Sequence, residues 1–154
     1  MAEYFIREAI DNDIIARKSI IESTTRELRK IYTPRGDVNL SKTLPTGTLV
    51  AMKQNTVLGT AEYVIKETNV YLQGIAVHPN HHKQGICRSL IVAAEEIARK
   101  AKLNSITVSV IEETGNVAIF KKIGFSIISR AVAQAYINPV GGGVTLVEME
   151  RKFS

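Results

Sequence analysis

The run His82-Lys83-Gln84-Gly85-Ile86-Cys87, followed by Arg88 and Ser89, carries the chemistry most directly readable in this chain. It lies between a β-branched stretch, Val70 to Val77, and a stretch with Ile86, Leu90, Ala94, Ile97 and Ala101 at helical spacing. The run therefore falls where the first turn of a helix leaves its backbone N–H groups without intrahelical partners. Those donors, together with the helix dipole, form a site for an anion. Gly85 has no Cβ, so an oxyanion can approach the backbone there. Lys83 and Arg88 add full positive charges, and a diphosphate is the natural guest. The alternative reading of the same residues is a plain strand-to-helix turn containing a glycine.

A second group stands about thirty residues further on. Asn116-Val-Ala118-Ile-Phe120-Lys-Lys-Ile-Gly124-Phe125 reads as a short helix, Val117 to Ile123. Asn116 can cap its start and Gly124 fits the C′ position at its end. Taken alone, Phe120 is a core residue rather than a chemical one.

The strand, the His78-Pro79 turn, the basic loop and the second group resemble the signature of the GNAT superfamily of CoA-dependent N-acetyltransferases. That family's loop is commonly Gln/Arg-x-x-Gly-x-Gly/Ala and holds the CoA pyrophosphate. Here it is His82-x-x-Gly85-x-Cys87. The glycine matches. His82 donates a hydrogen bond but is fully charged only below about pH 6.5, and Cys87 is larger than Ala. The second group resembles a compressed Asn-x-x-Ala-x-x-x-Tyr-x-x-x-Gly-Phe, with Phe120 in the tyrosine's place. The resemblance runs clearly from Leu49 to Arg130 and weakly to the termini.

What the resemblance implies is specific. The fold is α/β (α+β): a mixed, mostly antiparallel sheet of about six to seven strands with one parallel βαβ crossover and flanking helices. Residues 1–154 form a single domain. Acetyl-CoA is the cosubstrate, no metal takes part, and a primary amine of a small molecule or peptide attacks directly. Backbone of Ile75, Ala76 and Val77 lies along the pantetheine. His82, Lys83, Gln84 and Gly85 meet the diphosphate with Ile86, Cys87, Arg88 and Ser89. Asn116 lies near the pantetheine and Phe120 by the sulfur. A second reading is a catalytically weak acyl-CoA-binding sensor or interaction module of the same fold.

Aminolysis of a thioester needs a base, an oxyanion donor and a group to stabilise the leaving sulfur. Gly74, within the strand, marks a bulge or a close approach of backbone, or else accommodates a bulky neighbour. Many relatives carry a carboxylate at the positions of Gln73 or Gly74, and this chain has none there. Gln73 can orient a water. The candidate bases are Glu62, Glu112 and Glu113, with Glu62 preferred because the other two stand in a loop. Phe120 has no proton to give, so Tyr71, Tyr136 or a water must serve as acid. The thiolate also leaves tolerably unaided, with a thiol pKa of about 8.5. Cys87, on the first turn of a helix, stands where the dipole can lower a thiol pKa; the alternative is a buried, inert thiol.

The rest of the chain must position these groups. Tyr4 to Glu8 alternates as a first strand. Asp11-Asn12-Asp13 offers N-caps for a helix reaching about Tyr32, with Ile14, Ile21, Leu28 and Ile31 on its inner face. Pro34-Arg-Gly-Asp37 stops it, and Val38 to Gly47 is a loop. Thr48 to Lys53, Val57 to Lys66 and Val70 to Val77 form an antiparallel meander. Ser105 to Ile111 lies parallel to the last of these across the helical crossover. Phe125 to Ala131, continued by Ala135 to Ile137, and Val144 to Lys152 are the last strands. Leu28 to Gly47 and Ala131 to Gly143 are the variable parts expected to line the acceptor pocket.

Composition bounds the partners. The 154 residues suit one core, with 45% hydrophobic and 23% charged residues. No apolar run approaches the roughly 20 residues of a membrane span. The N-terminus lacks the order of a signal peptide, and the single cysteine excludes an internal disulfide. A cytoplasmic protein with no membrane partner is expected. The net charge is +5. Its densest groups, Arg26-Arg29-Lys30 and Arg99-Lys100-Lys102, fit solvated helix faces, and no nucleic-acid motif accompanies them. His78, His81 and His82 lie close together, yet no Cys or carboxylate stands at ligand spacing, so no metal is expected. The glycines at 141–143 lack the Lys-Ser/Thr of a nucleotide P-loop. Oligomeric state is left open, a homodimer among the options.

Overall fold

The computed structural model describes residues 4–35 and 44–154. β1 (Phe5–Glu8) and α1 (Ile14–Leu28) come first, then a two-residue strand, β2 (Thr33–Pro34). β3 (Gly47–Lys53), β4 (Thr56–Ile65) and β5 (Val70–Val77) form the antiparallel meander. α2 (Ile86–Lys100) crosses over to β6 (Ser105–Ile111). α3 (Asn116–Lys122), β7 (Ser126–Ile137) and β8 (Gly143–Lys152) follow. One sheet of eight strands results, in the order β1-β3-β4-β5-β6-β8-β7-β2. Among the described residues only β5 and β6 are parallel; every other neighbouring pair is antiparallel. The expected mixed architecture holds, with one strand more than the six to seven expected.

The two sheet faces are covered differently. α2 lays Ile86, Leu90, Ile91, Ala94 and Ala98 on one face, against Leu72, Ile106, Val108 and Met149. Leu90 and Ile91 are fully buried, each contributing roughly 1.5–3 kcal/mol by leaving water. On the other face α1 lies over β4 and β5, where Ile20 packs with Val50, Val57 and Ala76. Among the described residues no helix is long and apolar enough to cross a membrane.

The elements differ from expectation in four places. α1 ends at Leu28, not near Tyr32, because Thr33 and Pro34 pair with Ile137 and Tyr136 of β7. Its buried residue is Ile20, while Ile14 stands 54% exposed, so the contact stripe runs through Ala16, Ile20 and Ile21. Asp13 does not cap α1. Its carboxylate accepts from the Ile10 N–H and from both Arg7 amino groups, at 2.8, 2.7 and 3.0 Å. Asn116 is the first helical residue of α3 and Gly115 its cap; the Asn116 N–H donates to Thr114 Oγ1. Most of the loop expected over Val38 to Gly47, with the Gly36-Asp37 turn, lies outside the described residues. Gly47 itself opens β3.

Candidate active site

β5 and β6 pair only through Val70–Leu72 and Ile106–Val108, although β5 runs on to Val77 and β6 to Ile111. The cause lies on the far side of β5. Thr60 pairs with Ala76 and Glu62 with Gln73, so Gly74 and Ile75 stand opposite Ala61 alone. This is a β-bulge, which bends its strand. Gly74 has φ +60, in the left-handed region glycine enters without a Cβ penalty. Past the bulge the alternation reverses: Gln73 and Ala76 share the α1 side, while Ile75 and Val77 pack toward α2. Among the described residues, the edge of β5 that faces β6 has no strand partner from Gly74 onward. It can pair with an extended guest lying in the fork between the two strands.

At the open end of β5 stands the basic loop. Pro79–His81 form a single 3₁₀ turn, and Gly85, with φ +84, leads into α2. Nothing lies within 4 Å of where a Cβ on Gly85 would stand. The first helical bond runs from Ser89 N to Gly85 O at 3.0 Å, so the N–H groups of Ile86, Cys87 and Arg88 precede it. Lys83 is exposed, and its own φ of +64 helps turn the loop. Three side chains already have internal partners. His82 Nε2 lies 3.2 Å from Val77 O, Gln84 Oε1 accepts from Tyr4 Oη and meets His81 Nδ1, and Ser89 Oγ donates to Gly85 O. The anion-facing groups are thus backbone donors and the Lys83 charge, with Arg88 reaching across to Lys122 O.

Cys87 corrects an expectation. Burial pushes its thiol up to about 11, against a smaller opposing pull from Arg88. The side chain packs on the main core instead of presenting a thiolate.

The α1 side of the fork carries the polar groups. Gln73 Nε2 donates to Glu62 Oε1 at 3.1 Å, so the structure brings these two expected residues together. Glu62 Oε2 lies 4.0 Å from an Arg17 amino nitrogen, and its side chain is 30% exposed, so water reaches it. Arg17 Nε is itself held by Thr60 Oγ1 at 3.0 Å. Across the fork, Ser109 is the first residue of β6 past its last pair with β5. Its hydroxyl donates to Glu148 of β8, within 2.9 Å of both oxygens, and accepts from Tyr71 Oη at 3.1 Å. Each strand therefore enters the fork with a polar side chain backed by a carboxylate.

Other expected residues stand apart from this pair of carboxylates. Tyr136 lies on β7, separated from β6 by β8, with its ring edge-on to Tyr32 at 5.0 Å. Glu112 pairs with Arg130, and Glu113 accepts from the N–H and hydroxyl of Thr145. Phe120 packs edge-on to Phe125 at 5.4 Å against the α2 side of the core. The side chain of Asn116 makes no hydrogen bond to another described residue. Among the described residues no group of three His, Cys, Asp or Glu side chains could hold a metal ion. Arg17, Ser109 and Glu148 were not legible as site residues, because a helix arginine and alternating strand residues carry no motif. Only the register of β5, β6 and β8 collects them.

Comparison with known proteins follows this geometry. The model of the acetyltransferase (GNAT) family matches residues 17–125. No curated protein sequence gives a significant match. Among solved structures, a GCN5-related N-acetyltransferase from Kribbella flavida is 22% identical, with a TM-score of 0.70 over 97% of this chain and 98% of that one. The ribosomal-protein-alanine N-acetyltransferase of Brucella melitensis is 19% identical, with a TM-score of 0.70 over 97% and 99%. A Salmonella typhimurium protein assigned as an acetyltransferase, solved with its cofactor acetyl-CoA, is 16% identical. It aligns with a TM-score of 0.72 over 99% and 95%.

Proposed function

This chain belongs to the acetyltransferase (GNAT) family, and on that premise we propose that it transfers the acetyl group of acetyl-CoA to a primary amine of a small molecule or peptide. The observation that carries the proposal is the fork. A bulge at Gly74 parts two parallel strands, and the open strand runs straight to an uncovered glycine at a helix start. The residues present suit the cosubstrate. A Cβ-free backbone and Lys83 would receive the diphosphate. The open edge of β5, with the backbone of Ile75, Ala76 and Val77, would pair with the pantetheine amides. Asn116, the first residue of α3, whose side chain makes no hydrogen bond to another described residue, would meet the same arm.

Acetyl-CoA supplies a thioester carbonyl that a neutral amine attacks and a thiolate that departs. The backbone N–H groups of the bulge strand would hold the developing oxyanion, the type of fixed donor that contributes most in such sites. Glu62, reached by water and steered by Gln73 and Arg17, would take a proton from the amine, directly or through one water. No metal is assigned a part. The protein would act as a single domain in the cytoplasm.

The second reading, a catalytically weak acyl-CoA-binding module, has one specific observation in its favour: Phe120 offers no hydroxyl beside the departing sulfur. Free-thiol release from acetyl-CoA across a panel of amines separates the two. Acceptor-dependent release at several turnovers per site is the expected result. CoA binding with no acceptor-dependent release would leave the binding module as the function.

A further inference from the structure

Among the described residues, α1 packs on the inner sheet face over β4 and β5 rather than over β6 and β8. There a groove of about 400 Å³ is floored by Tyr71, Thr107 and Ser109 and walled by Ser129 and Glu148. Its head is Ser109, at the fork. Its other end holds Lys66, whose ammonium lies 4.6 Å from the centre of the Tyr71 ring.

We propose that this groove seats the acceptor and that Ser109, backed by Glu148, draws the acceptor's ammonium to the fork and relays its proton to the Glu148 carboxylate. The inference rests on amine acetylation at that fork, and adds where the amine comes from and which carboxylate receives the ammonium's first proton, the second passing by way of Glu62 as proposed above.

The hydrogen-bond directions support it. A serine hydroxyl has one proton and two lone pairs. Tyr71 Oη donates into one lone pair, and the proton points to Glu148. One lone pair has no donor among the described residues and can take an incoming N–H. Burial pushes the Tyr71 phenol up, so it remains a donor. The charge pattern points the same way. Glu62, Glu112 and Glu150 each have a cation within 4.0 Å, respectively Arg17, Arg130 and Lys152. Glu148 has none among the described residues, although the chain carries a net charge of +5. A carboxylate in an open groove without a cation fits a cationic guest.

The proton count closes. The ammonium gives one proton to Ser109 Oγ as the Ser109 proton passes to Glu148. The neutral nitrogen attacks the acetyl carbon, the C–S bond breaks, and the second N–H proton ends on the CoA sulfur. Glu148 then returns its proton to solvent. Among the described residues the other titratable groups lining the groove are Tyr71 and Lys66, just past the end of β4, while Glu150, two residues along β8, accepts from Ser105.

The test compares wild type with Glu148→Gln, which keeps a partner for Ser109, and Ser109→Ala. Probes are n-butylamine, cationic at neutral pH, and hydroxylamine, uncharged there. The expected result is a loss of about a hundredfold in kcat/KM for n-butylamine in Glu148→Gln, with a much smaller loss for hydroxylamine. The loss for n-butylamine should shrink as pH rises and the amine loses its proton unaided. Calorimetric titration should show weaker n-butylamine binding to the CoA-saturated Glu148→Gln protein, and unchanged CoA affinity. Ser109→Ala should lose rate with n-butylamine binding largely kept. An active wild type whose Glu148→Gln variant stays within about twofold for both probes, at every pH, overturns this inference alone. A wild type that binds CoA but releases no thiol with any amine overturns the enzymatic reading, and this inference with it.

Discussion

Two side chains at the proposed cosubstrate site differ from what their neighbours in the chain suggest. Cys87 sits on the first turn of α2, where a dipole would favour the thiolate, yet burial wins and lifts its pKa to about 11. At pH 8 only about one thiol in a thousand is then ionised. Iodoacetamide labelling of the folded protein should be slow and indifferent to CoA. Rapid labelling that CoA suppresses would show that the thiol faces the cosubstrate. Phe120 stands where the related motif has tyrosine. Its ring already packs edge-on to Phe125 and against the core, so an added hydroxyl must find a partner or lose hydration. Phe120→Tyr should change the maximal rate by less than about threefold, under about 1 kcal/mol in barrier. A tenfold gain in steady-state rate would mean that leaving-group protonation limits the present enzyme.

Elements with strong local patterns were legible, and those made by long-range pairing were not. Val70–Val77 and Ser105–Ile111 match their expected bounds because each is a β-branched run closed by turn residues. β2 escaped notice because two residues, one of them proline, have no periodicity; only β7 makes them a strand. The bulge was foreshadowed by Gly74, but the reversal of facing that follows from it depends on the register with β4. The turn at Gly85 into α2 was legible, since it is local backbone geometry, but the internal partners of His82, Gln84 and Ser89 were not. The Glu148–Ser109–Tyr71 chain was not, because its members lie on three strands. At this scale Tyr63 ties β4 to the end of β1 through a 2.5 Å hydrogen bond donated to Glu8. Burial first, then that bond and the Glu8 charge, push the phenol up to about 12. The folded value exceeds the unfolded one of about 10, so the contribution is whole below pH 10 and fades as pH rises toward 12. Tyr63→Phe should lower stability by about 1 kcal/mol at pH 7. In urea unfolding the gap from wild type should narrow between about pH 9.5 and 11. A gap constant over that range would mean that the Glu8 bond contributes nothing.

At the scale of the whole molecule, the sheet is a scaffold split at one place. α2 holds one face, α1 lies on the other over β4 and β5, and the parallel pair opens past Leu72 and Val108. The central claim is that acetyl-CoA enters this fork with its diphosphate on the α2 start. Gly85 tests it most directly, because space beside it is open and no fold contact depends on its missing side chain. Gly85→Glu would add bulk and negative charge where the diphosphate meets backbone donors. Its left-handed φ of +84 adds local strain of roughly 1 kcal/mol, too little to unfold a domain of ordinary stability. Calorimetric titration with acetyl-CoA, alongside circular dichroism of both proteins, is the decisive measurement. The account predicts saturable binding to wild type and none detectable to a folded Gly85→Glu protein; undiminished affinity in that folded variant would contradict it.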